Sequence, residues 1–151
     1  MTENQYYPQA PHSGSQDVAP LSMRIYRLVW SSFRIPLHAD FRFDPDVPLI
    51  VTVTFKPKDQ RPVTWRISRE LLYGGLMESS GVGDVQVWPV HIHRRWMLRI
   101  GLKARGTFAV FEVDLRSLEH WLHDTYAVVP MGEELNGLEW NAVIADLLGH
   151  S

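Results

Sequence analysis

Seven histidines are spread along the chain, and two pairs among them have spacings that could do chemistry. His91 and His93 lie two apart, so a strand would turn both to the same side. His120 and His123 lie three apart, neighbours on one helix face, with Asp124 beside them. A zinc site needs three or four converging ligands and a supporting outer shell. Two pairs from distant segments fall short of that, and surface histidines are the plainer reading, so no metal is expected. The serines Ser79 and Ser80 precede Gly81, but they form no G-x-S-x-G elbow. Gly81-Val82-Gly83 lacks the further glycine of a dinucleotide fingerprint. The acid-rich run Glu133–Glu139 reads as a solvated approach to a helix, not as paired general acids. The chain therefore offers no catalytic residue, no metal site and no cofactor signature, and the expectation is a protein that binds other macromolecules and is not an enzyme.

A basic stretch is more informative. Between His91 and Arg105 stand five cations (Arg94, Arg95, Arg99, Lys103 and Arg105) and no carboxylate. On a strand from Arg95, the residues Arg95, Met97, Arg99 and Lys103 share one face, while Trp96, Leu98, Ile100 and Leu102 share the other and read as core. With Trp88 nearby, such a face could follow a single-stranded nucleic-acid backbone and stack its bases. It could equally dock an acidic peptide, or stay solvated with no partner. The net charge of −2 weighs against a nucleic-acid binder. From Glu112 onward acids outnumber bases, so the charge divides into a basic rim and an acidic C-terminal portion.

The elements that must position this face follow from composition and periodicity. With 151 residues, the chain suits one domain with a core of its own. Six Trp, six Phe and five Tyr supply much of that core's apolar area. Cysteine is absent, which excludes disulfides and thiolate metal sites. No run approaches the ~20 apolar residues of a membrane helix, and residues 1–20 have no secretory-signal pattern, so a cytoplasmic location is expected. Those first twenty residues, rich in Gln, Ser and Pro, read as a disordered tail, with Tyr6 and Tyr7 as at most a docking element. Residues 21–151 form the folded domain.

Met23–Ser32 and Phe33–Phe43 read as strands, the second broken by Pro36 at an edge or bend. In Leu49–Phe55, Leu49, Val51, Val53 and Phe55 alternate with Ile50, Thr52 and Thr54; Val63, Trp65 and Ile67 return after the polar loop Lys56–Arg61. Ser68 caps a short helix carrying Leu71, Leu72 and Leu76. Ser79–Asp84 reads as a turn, Val85–Pro89 as a strand ended by Pro89, and His91–Arg95 as a polar turn. Arg105–Gly106 turns the chain into the strand Thr107–Val113. Asp114 then caps a helix whose stripe is Leu115, Leu118, Trp121, Leu122 and Tyr126. A last helix carries Leu138, Val143, Ile144, Leu147 and Leu148. Short connections imply antiparallel pairing, so the expected fold is α+β: about seven antiparallel strands, a short mid-chain helix and two C-terminal helices.

One family resemblance stands on specific residues. The run Val63-Thr64-Trp65-Arg66-Ile67-Ser68-Arg69-Glu70-Leu71-Leu72, then Gly75-Leu76, then Gly83-Asp84-Val85-Gln86-Val87-Trp88-Pro89, resembles the SsgA-like proteins. These are sporulation and cell-division regulators of morphologically complex actinobacteria. Val129-Pro130-Met131-Gly132-Glu133-Glu134 and the leucine-rich end are similar as well, so the likeness runs from about Met23 to Leu148. It implies a barrel-like antiparallel sheet resembling the whirly nucleic-acid-binding folds, and a homotrimer. It also implies an adaptor without catalytic activity, recruited to the division septum, whose partners are the tubulin-like protein FtsZ or SsgA-like paralogues. The motif residues Trp65, Arg69, Leu71, Leu72, Gly75, Gly83, Asp84, Val85, Trp88 and Pro89 read as structural. Trp65, Trp88, Leu71 and Leu72 are expected between helix and sheet, with Gly83 at a tight turn.

Overall fold

The computed structural model describes residues 17–30 and 33–135. Residues 1–16 of the expected tail and the expected last helix lie outside that range. The strands are β1 (Leu21–Val29), β2 (Phe33–Phe43), β3 (Ile50–Lys56) and β4 (Val63–Ser68), followed by helix α1 (Arg69–Gly75). Then come β5 (Ser80–Val82), β6 (Val85–Ile92), β7 (Arg95–Ala104), β8 (Thr107–Asp114) and helix α2 (Leu115–Val128). All eight strands join one sheet in the order β4-β3-β2-β1-β8-β7-β6-β5. Every pairing is antiparallel, as the short connections require.

The sheet curls into a half-barrel. Phe55 of β3 and Phe111 of β8 stack with ring centroids 4.3 Å apart, although β2 and β1 lie between their strands in the sheet order. The concave face is the core: Ile25, Phe41, Val51, Val53, Val87, Leu98 and Ile100 are fully buried. Each such aliphatic side chain contributes about 1.5–3 kcal/mol relative to exposure. Helix α2 lays its stripe across one end of this trough, burying Leu115, Leu118, Trp121 and Leu122. Trp121 also donates its indole N–H to the Ala19 carbonyl at 2.8 Å. With Val18 packed on the core, this ties the stretch just before β1 to the domain.

Both helix starts are as the sequence predicts. The Ser68 hydroxyl accepts from the Leu71 amide at 3.1 Å, and an Asp114 oxygen accepts from the Ser117 amide at 3.0 Å. Such caps satisfy amide donors that the first turn leaves free.

Several expectations change. Ser80–Val82 is an eighth strand, not part of a turn, because β6 offers it backbone partners from Val85 to Val87. β2 runs unbroken through Pro36, and β6 runs past Pro89 to Ile92. In both cases the proline sits where one side of its strand has no neighbour. β2 meets β3 only from His38 onward, and β6 meets β5 only up to Val87. A missing N–H costs little at such an edge. The turn after β6 shrinks to His93-Arg94, both with positive φ, the geometry of a two-residue hairpin turn. Trp96 is not core: it is 48% exposed, stacks on His91 at 4.6 Å and borders a hollow beside Leu115 and His120 of α2. Leu49 falls outside its strand and is exposed.

Candidate partner-binding face

The convex side of β6, β7 and β8 carries the charged residues singled out from the sequence. The two-residue turn Arg105-Gly106, with φ of 51° and 77°, fixes the hairpin register. That register sets Arg99 opposite Glu112 and Met97 opposite Asp114. Arg99 Nε donates to Glu112 Oε2 at 3.1 Å, and Arg95 Nη2 to Asp114 Oδ1 at 2.9 Å. Arg34 reaches over from β2 and donates to the other Glu112 oxygen at 3.0 Å. Glu112 is thus a buried carboxylate, 3% exposed, held between two guanidinium groups. The hydrogen bond and charge of Glu112 raise the Arg34 pKa above its ordinary value. For Asp114, burial pushes the carboxyl upward, but the hydrogen bonds from Ser117 and Arg95 outweigh it and leave the pKa low.

The basic stretch is therefore not one continuous cationic patch. Arg95 pairs with Asp114 of the neighbouring strand, and Arg99 shares the one carboxylate of Glu112 with Arg34, so that trio keeps a net positive charge. Arg94, Lys103 and Arg105 are exposed and pair with no carboxylate among the described residues. Arg94 and Arg105 occupy the turns at opposite ends of β7, with the 10 residues of that strand between them, roughly 35 Å apart. Lys103 lies between, opposite Phe108.

Trp88 joins this face and does not pack between helix and sheet as expected. Side chains alternate along β6, so with Val87 buried in the concavity Trp88 turns outward. There it pairs across from Arg99. Trp88 and Phe108 together roof Gly101: a Cβ on that glycine would come within 2.6 Å of Phe108 Cζ and 3.2 Å of Trp88 Cζ3. Phe108 remains 53% exposed. The result is a small aromatic surface with Lys103 beside it.

The other motif residues are distributed by structural need. Leu71 and Leu72 are buried in the core, and Trp65 packs partly against it. Gly75 lets α1 approach β6, since a Cβ there would lie 2.7 Å from Val87 Cβ. Gly83 turns the chain at φ +60°. Asp84 accepts the Lys103 amide on its backbone carbonyl at 2.9 Å, Val85 packs on the core, and Pro89 takes the sheet edge. Arg69 is 1% exposed. It lies over the Tyr126 ring at 3.9 Å, donates to the Thr125 carbonyl at 3.1 Å and pairs with Glu134 at 3.1 Å.

Sequence reasoning missed Glu112 and Arg34. The register from Arg105-Gly106 could have exposed the first, but nothing local connects Arg34 to a strand 78 residues later. His120, His123 and Asp124 are exposed on α2. Among the described residues no three His, Asp or Glu side chains converge as metal ligands, and no helix is long and apolar enough to cross a membrane.

Residues 37–134 match the family model described as Streptomyces sporulation and cell division protein, SsgA. The sporulation-specific cell division protein SsgB of Salinispora tropica is 36% identical over 76% of this chain and 81% of its own length. SsgB of Thermobifida fusca is 34% identical over 76% of this chain and 83% of its own. Among solved structures, an SsgB structure tied to longitudinal cell division during sporulation of Streptomyces coelicolor superposes with a TM-score of 0.74. It is 33% identical and covers 78% of this chain and 92% of the other. An SsgA-like sporulation-specific cell division protein from Thermobifida fusca gives 0.76 at 30% identity, over 85% and 93%. Fold, motif and sequence agree: this chain belongs to the SsgA family of sporulation and cell-division proteins.

Proposed function

We propose that this chain is a non-enzymatic adaptor of sporulation-specific septation, acting in the cytoplasm at the division septum as a homo-oligomer. Its partner is FtsZ or an SsgA-like paralogue. The observation that carries this reading is the family membership across residues 37–134, with every extended relative named for sporulation-specific cell division. The convex face supports it locally. An aromatic surface of Trp88 and Phe108, flanked by Lys103 and Arg105, suits a partner segment that is both apolar and acidic. The single-stranded nucleic-acid alternative has less to stand on, because two of the cations of that face, Arg95 and Arg99, have carboxylate partners within the sheet.

Co-sedimentation with FtsZ polymers from the same organism, at low and high salt, tests the proposal. The protein should pellet with the polymers, and less of it at high salt, since exposed charges are screened over about 8–10 Å. Lys103→Glu should weaken pelleting several-fold without loss of fold. It is a cleaner probe than charge reversal at Arg99, which would also break the Glu112 pair. Absence from the pellet at both salts removes FtsZ as the partner and leaves a paralogue to be tried by the same assay.

A further inference from the structure

The concave side of the half-barrel has an open end that α2 does not cover. Here the sheet encloses a cavity of about 380 Å³, within the roughly 300–1,000 Å³ range of small-ligand pockets, which occur in the mouths of β-barrels. Its walls are apolar: Phe55 and Phe111, stacked on each other, with Trp65 and Leu102 beside them. A cation interrupts the strand-borne part of this lining. Arg27 points inward from β1, the row that elsewhere holds Ile25 against the core, and its Nε is buried with no hydrogen-bond partner. No carboxylate pairs with Arg27 among the described residues. Lys58 and Asp59 of the loop after β3 also line it, a cation and a carboxylate side by side, so Arg27 carries the surplus positive charge.

A buried guanidinium N–H that faces an apolar cavity without an acceptor is costly unless something supplies one. Arg offers a planar, always charged fork that matches a carboxylate better than any neutral group. We propose that this mouth binds a small amphipathic anion, an apolar body ending in a carboxylate that meets Arg27. The aromatic walls take the apolar body. The site lies on the opposite side of the sheet from the Trp88–Phe108 face, so it is independent of the adaptor reading above.

The test is a methyl-labelled NMR titration of the full chain with octanoate, with octylamine as its cationic counterpart. Octanoate should shift the methyls of Leu102 and of Val63 at the rim saturably, and Arg27→Gln should weaken it at least tenfold while the rest of the spectrum stays in place. Octylamine should produce no saturable shift. The proposal is overturned by no saturable shift with octanoate, by shifts away from the cavity, by octylamine binding as well, or by unchanged affinity in a folded Arg27→Gln protein. The octylamine comparison needs no variant, so it decides even if Arg27→Gln disturbs the fold.

Discussion

Arg69 illustrates how a single charged side chain can be central to a small domain. It starts α1, yet its contacts are made with α2 and with the chain beyond it: Tyr126, Thr125 and Glu134. Phe43 of β2 adds a second ring under the guanidinium at 4.9 Å. Replacing Arg69 with Met keeps most of the volume but leaves Glu134, itself largely buried, without its partner. Breaking a buried pair from one side costs roughly 3–5 kcal/mol, and Glu134 retains the Gly132 amide at 2.9 Å, so the lower end applies. Urea unfolding of Arg69→Met should show a loss of about 3 kcal/mol, and Arg69→Lys should recover only part of it, since an ammonium cannot donate to Thr125 and Glu134 in the same fork geometry. A loss under 1 kcal/mol would mean that the pair is replaced by water. Read from sequence, Arg69 was visible only as a motif letter. Its partners come from residues 56 and 65 positions later, a distance no local pattern bridges.

At the scale of elements, two glycines separate tight packing from loose cover. Gly75 brings α1 onto β6 with the fully buried Val87 beneath it, and a Cβ would lie 2.7 and 2.9 Å from Val87 Cβ and Cγ2. Neither atom can swing aside. Gly101 is roofed instead by the far end of Phe108, a ring with solvent to move into. Overpacking costs typically 1–3 kcal/mol where nothing can yield. Gly75→Ala should therefore destabilise by about 2 kcal/mol in thermal or urea unfolding, and Gly101→Ala by less than 1 kcal/mol, with Phe108 displaced. Equal costs would show that α1 itself can shift. The elements were largely legible: alternation gave Val51, Val53, Phe55 and Ile67, and capping residues gave both described helix starts. Pro36 does sit at an edge as read but breaks nothing, and Pro89 does not end its strand, because whether a proline ends a strand depends on where the neighbouring strands stop, which is a property of the assembled sheet. Trp96 misled for a related reason. Its alternation is correct, but the core ends before the hairpin does.

Across the whole molecule, acid sensitivity follows from three carboxylates held below their ordinary range. Asp40 is lowered by hydrogen bonds from Lys56 and Ser22, and it ties β1, β2 and β3 together on the convex side. Asp114 is lowered despite burial by Ser117 and Arg95, and Glu134 despite burial by its own backbone, Arg69 and Gly132. A depressed carboxylate contributes stability that is complete above the unfolded-state pKa and lost as the pH falls through the folded one. Unfolding free energy should thus stay flat from these groups near neutrality and decline below about pH 4. Asp40→Asn should remove part of that decline in a pH series of urea melts. A slope unchanged by Asp40→Asn would assign the acid transition to the other two groups.

The open half-barrel leaves backbone donors and acceptors at its margins that a foreign strand could extend. Pro36 and Pro89 both lie in stretches of this margin without an outer neighbour, and neither has a backbone N–H to offer. Such edge prolines discourage strand-by-strand aggregation. The two prolines thus guard the margin where β3 and β5 stop short of covering β2 and β6.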